Sequence, residues 1–207
     1  AGLERVEEMF HRLQDTSLRE HMFPGAITWE DWSTIIDAYV DDLIASLRHD
    51  CPEPVLADMF ALSEDYLNLK RAVLNRTPFQ FVPRVFSEAR LLEVASGTPN
   101  LLPDVIRPAV AQLTALGADA QDLATVDLVL DGAYLRHYLA LARGVNAPMV
   151  LSWATERVLN KAISALWRAV RAGMNRKELE QRFLPIDGIN GILKDMLEAG
   201  DPQSWGN

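Results

Sequence analysis

Cysteine is almost missing from this 207-residue chain. Cys51 is the only one, which excludes an intrachain disulfide framework and any zinc site built from cysteines. Apolar runs are short: none approaches the ~18 residues that span a bilayer, and no apolar signal-peptide core opens the sequence. No direct transmembrane segment is therefore expected, and a cytoplasmic setting is the expectation. Positive charge is outweighed, with 20 Lys and Arg against 29 Asp and Glu and a net charge of −9. That balance argues against nucleic acid as a partner, because generic binding to it needs a basic face. Also absent are the Gly-x-Ser-x-Gly elbow of serine hydrolases and the glycine loops that cradle phosphates. No stretch alternates apolar and polar residues with the period of two that a half-buried strand requires.

Apolar residues make up 49% of the chain and charged residues 24%, ordinary values for a folded globular protein and too apolar for disorder. The charge is uneven: residues 1–65 hold 15 Asp and Glu against 4 Lys and Arg, while the remainder holds 14 against 16. An acidic end of this kind can orient a protein against a basic partner, or simply be solvated. The 16 arginines against 4 lysines make bidentate carboxylate pairing available. Arg157, Lys161, Arg168, Arg171, Arg176, Lys177 and Arg182 give the C-terminal third a local basic excess, read as a solvated helix face. The five Trp are expected to fill the core, with Trp29, Trp32 and Trp205 near helix or chain ends where a partner can reach them.

The period of the apolar residues is helical throughout, and the expected fold class is all-α. A helix over 28–49 starts at the candidate N-cap Thr28 and carries Ile35, Ile36, Tyr39, Val40, Leu43, Ile44 and Leu47. Pro52 and Pro54 then open a helix whose stripe is Val55, Met59, Leu62, Tyr66, Leu69 and Val73. Residues 77–86 are a proline-broken apolar connector. Further helices are expected over 87–96, 101–116, 121–143, 148–172, 176–183 and 189–199, with Gly97, Gly117, Gly144, Gly173 and Gly200 at their ends. Asn175 and Glu178 have capping-box spacing. At an offset of 92 residues the segment from Glu64 matches that from Glu156, pairing Leu67 with Leu159, Asn68 with Asn160, Leu74 with Leu166 and Arg76 with Arg168. The expected organisation is a single all-α domain over 1–207, built of packed helical hairpin units related as a pseudo-repeat over 1–97 and 98–200. Asn68 and Asn160, both inside helices, are expected to bond to neighbouring helices and define the packing of those units.

Two constellations have the spacing of chemistry. Glu8 and His11 form Glu-x-x-His, but the second such motif of a di-iron bundle is missing, since His21, His49 and His137 lack a Glu three residues earlier. Asp127 and Asp131 lie one helical turn apart, followed by Tyr134 and His137; two carboxylates on one face can serve acid–base work, bind a cation, or anchor a helix contact. A helical metal-dependent enzyme using Asp127 and Asp131 is one alternative reading, and a helical-repeat binding module is another.

The segment Glu64–Leu74 (EDYLNLKRAVL) resembles the Asp-Tyr-x-Asn-Leu-Lys-x-x-Leu helix of the C-type subunit (d-type in eukaryotes) of the V/A-type rotary ATPases. Val126–Tyr134 is similar to that family's Ile-Asp-x-x-Leu-Asp-x-x-Tyr segment, Asn160 and Arg168 occupy its later Asn and Leu-Arg positions, and Phe183–Gly188 resembles its Leu-x-Pro-Gly-Gly element. Order and approximate spacing agree from about residue 50 to 199. Arg157 stands where the family has Asp, and Ile186-Asp187 interrupts the double glycine. The family has three helical units arranged as a funnel, and this sequence has room for about two, as a shortened member or a fragment. The resemblance implies a non-catalytic central-stalk component, peripheral on the cytoplasmic face of the membrane. Its implied partners are the central rotor shaft (D/F-type subunits) and the membrane proteolipid ring, in a machine that transports protons or sodium. It implies no catalytic residue, no cofactor and no metal. Asp65, Tyr66, Asn68, Lys70, Asp127, Asp131, Tyr134, Asn160 and Arg168 become structural motif residues.

Overall fold

The computed structural model describes residues 8, 11–22, 31–74, 79–95, 103–117, 122–183 and 185–199. Among them every regular element is helical: a 3-10 turn at Ser17–His21, then α1 (Asp31–Asp50), α2 (Val55–Val73), α3 (Glu88–Ala95), α4 (Arg107–Leu116), α5 (Leu123–Gly144), α6 (Pro148–Arg171), α7 (Arg176–Arg182) and α8 (Asn190–Ala199). The all-α expectation holds. Thr28, Trp29, Gly97, Gly200 and Trp205 lie outside the described residues. The chain divides into two compact units, Ala1–Ala57 and Asp58–Asn207.

In the first unit the 3-10 turn is capped by Thr16, whose side chain accepts from the Leu18 N–H at 3.3 Å. The turn lies against α1: Ser17 Oγ is 3.3 Å from the Tyr39 hydroxyl, and the His21 ring meets Tyr39 edge-on at 5.6 Å. Of the apolar series expected to bury α1, Ile35 and Ile44 are buried, while Leu43 is 46% exposed.

The second unit is organised by α5. Its start is fixed by Asp122, whose carboxylate accepts from the Thr125 N–H (3.0 Å) and hydroxyl (2.9 Å). That contact holds the Asp122 carboxyl below its ordinary range. Val126, Leu128, Val129, Leu130, Leu135 and Leu139 are all buried, so α5 is surrounded on most sides. Beside it runs α6, whose inward face is Ala154, Val158, Ala162, Ala165, Leu166 and Ala169. Alanine at so many contact positions lets the two backbones approach closely, and the pair is the most extensive helix contact of the unit.

Helix ends follow local chemistry. Gly173 (φ 92°) closes α6 with two bonds, its own N–H to Val170 O at 2.9 Å and the Met174 N–H to Ala169 O at 3.1 Å. Gly117 (φ 58°) ends α4 in the same left-handed region. Gly144 is instead the last residue of α5, with Val145 as the cap. Asn175 and Glu178 form the reciprocal capping box at the head of α7.

Candidate functional site

Lys70 lies on α2, Asp127 and Asp131 on α5, and Arg168 on α6, far apart in sequence. Helical phase turns them toward one another. Lys70 Nζ is 2.9 Å from Asp127 Oδ1 and 2.6 Å from Asp131 Oδ1, and Arg168 Nη2 is 2.7 Å from Asp131 Oδ2. One carboxylate thus joins cations from two different helices. The Lys70 and Asp131 side chains are only 14% and 19% exposed, against 58% for Arg168, so the network is sheltered at the Lys70 end and open at the Arg168 end. A cleft of about 350 Å³ adjoins it, floored by Tyr66, Tyr134 and Leu135 and rimmed by Leu67, Lys161 and Arg168.

Two other motif residues do a different task. Asp65 is fully buried, and its carboxylate accepts from the backbone N–H of Arg84 (2.9 Å), Val85 (2.7 Å) and Phe86 (2.6 Å). Burial pushes its carboxyl upward, and the three N–H donors pull it back. Asn68, also fully buried, donates to Phe81 O at 2.7 Å and accepts from the Gln80 and Phe81 N–H groups. The Arg84 guanidinium pairs with Glu64. Residues 79–86, which periodicity leaves unclassified, are therefore pinned along α2 by side chains one turn apart.

Pinning the connector delivers Phe86 into an aromatic cluster. Tyr66 meets Phe86 at 6.2 Å, Tyr134 at 5.6 Å and His137 at 6.0 Å, each edge-on. The Tyr66 hydroxyl lies 3.4 Å from His137 Nδ1. Burial lowers the His137 imidazole to about 4 and raises the Tyr66 and Tyr134 phenols. At neutral pH the ring is uncharged and the cluster acts as packing.

The motif residues thus fall into three groups. Lys70, Asp127, Asp131 and Arg168 converge; Asp65 and Asn68 hold the connector; Tyr66 and Tyr134 fill the interface of α2 with α5. Asn160 joins none of them. It is exposed on α6, so the pairing of Asn68 with Asn160 does not extend to a shared environment, and Asn68 holds a connector rather than a helix of another unit. Glu8 and His11 are both exposed, and Glu8 pairs with Arg12 at 2.6 Å. Among the described residues no group of three or more His, Cys, Asp or Glu is placed to hold a metal ion.

The expectation that tryptophans fill the core fails at two positions. Trp153 and Trp167 are 44% and 42% exposed, both on α6. The signal was present in their phase: they share a face with Arg157, Lys161, Arg168 and Arg171, opposite the alanines. No family model, curated protein or solved structure is significantly similar to this chain.

Proposed function

We propose that this chain is a non-catalytic central-stalk component of a V/A-type rotary ATPase. In that reading it sits on the cytoplasmic face of the membrane, seated on the proteolipid ring and receiving the D/F-type rotor shaft. It couples ATP turnover to proton or sodium transport. The observation that carries the reading is the Lys70–Asp127–Asp131–Arg168 network. Residues from three separated segments that resemble the motifs of that family meet within hydrogen-bond distance, as positions kept for a common structural purpose would. The physics of the part agrees with the task. Closely packed helices resist shear, and ion pairs between helices such as α2, α5 and α6 fix their register. Among the described residues no helix is long and apolar enough to cross a membrane, as suits a part that caps a ring rather than joining it.

At the same residues Lys70 and Arg168 take up three of the four carboxylate oxygens of Asp127 and Asp131, which supports an ion-pair role for them over a cation site. Deleting the chain in its native host tests the proposal. Membrane vesicles should lose ATP-driven ion uptake while the detached ATPase head still hydrolyses ATP. Full ion uptake without the chain would overturn it.

A further inference from the structure

Helix α6 carries four cations and one carboxylate, Glu156. At about 100° per residue, Trp153, Arg157, Lys161, Trp167, Arg168 and Arg171 fall within an arc of about 120°, and Glu156 lies just outside it. All six are exposed. The face runs about 27 Å from Trp153 to Arg171. Arg168 is paired with Asp131, but among the described residues Arg157, Lys161 and Arg171 have no carboxylate within ion-pair distance, although this is an acidic protein with carboxylates to spare. They rest on rings instead. Arg157 lies 5.6 Å from the Trp153 centroid and 5.9 Å from that of Tyr138, Lys161 is 5.9 Å from Tyr134, and Arg171 is 4.8 Å from Trp167. Stacking holds each charge in place and keeps its outer side open. Arg and Trp are also the residues that dominate binding energy at protein interfaces.

We infer that this face of α6, with the cleft between Leu67 and Lys161 beside it, docks an acidic amphipathic helix of a partner protein. Charge selects the sign of the occupant: carboxylates spaced at helical intervals match the cations at positions 157, 161 and 171, while Arg168 is already held by Asp131. The exposed Trp153, Trp167 and Leu67 require apolar side chains among those carboxylates. A polyanion such as nucleic acid is disfavoured by the net charge of −9, which repels it at long range, whereas a local acidic helix senses only the face it meets. The surface is assigned from its own residues and stands apart from the coupling reading.

The test places the photo-crosslinker benzoylphenylalanine at position 153 or 167 of the full chain in its native host, with the same group at the exposed Phe60 as background. Mass spectrometry then identifies the crosslinked segment. The expected product is a helix of another protein rich in Asp and Glu. Arg157→Glu with Arg171→Glu should reduce its yield about tenfold or more, with the circular dichroism unchanged. Capture of a second copy of this chain, of nucleic acid, or of lipid would overturn the inference. So would a neutral or basic segment, a yield indifferent to charge reversal, or no product above the Phe60 background. A captured acidic helix from outside any rotary ATPase would leave this surface standing and remove the coupling reading. A co-purifying shaft with no crosslink would do the reverse.

Discussion

Replacing Asp65 with alanine removes the acceptor for three backbone donors at once, and its cost can be worked from their surroundings. The Phe86 N–H belongs to a residue 6% exposed and has nowhere else to turn, while Arg84 and Val85 are half-buried and can recover part of their bonding from water. A buried donor left unpaired costs about 1–3 kcal/mol, and a half-buried one less. Together Asp65→Ala should cost about 3–5 kcal/mol, a large share of the roughly 5–15 kcal/mol that holds a typical domain. Asp65→Asn keeps one acceptor oxygen and should cost about 1–3 kcal/mol. Urea titration followed by circular dichroism gives the global value. Hydrogen exchange gives the local one, since the amides of residues 84–86 should lose protection before those of α5. A loss below about 0.5 kcal/mol together with unchanged exchange at 84–86 would refute the reasoning that this carboxylate holds the connector.

Further outcomes follow from the same contacts. Asn68→Leu should also free the connector, and because it shares that segment with Asp65, the double variant should lose less than the sum of the single losses in urea titration. In a double-mutant cycle, Lys70→Met and Asp131→Asn should couple by about 1–2 kcal/mol, since both side chains are sheltered; additive effects would show that the ion pair contributes nothing. His137 gives a pH signature. Its folded value is lowered from 6.5 to about 4, so between these values the unfolded chain binds a proton that the folded ring refuses. Stability should therefore fall as pH drops from 6.5 toward 4, by up to about 3 kcal/mol, and His137→Phe should flatten that slope. Gly173→Ala meets no neighbouring atom but is held at φ 92°, so conformational strain alone should cost about 1 kcal/mol in thermal unfolding.

Much of the fold was legible because it rests on local rules. The apolar period of α2, the closing glycine of α6 and the Asn175–Glu178 box each involve residues within a few positions of one another, and the structure has them all. What stayed hidden is long-range. The convergence of Lys70 with Asp131 spans 61 residues, and spacing within one helix cannot say which face meets which neighbour. The connector 79–86 has no period of its own; its shape comes from Asp65 and Asn68, whose bonds run to backbone atoms that carry no sequence signal. Trp153 and Trp167 show how residue type misleads when phase is ignored. Size and hydrophobicity place tryptophan inside, but the alanines of α6 claim the inner face and leave the indoles to the other.

Affinity purification of the tagged chain from its native membranes at low salt, with the partners counted by mass spectrometry, tests the coupling reading most directly. Recovery of the D/F-type shaft in near-equal copy, together with the proteolipid ring, is the predicted result. Recovery of the chain alone, or with partners belonging to no rotary ATPase, would contradict it.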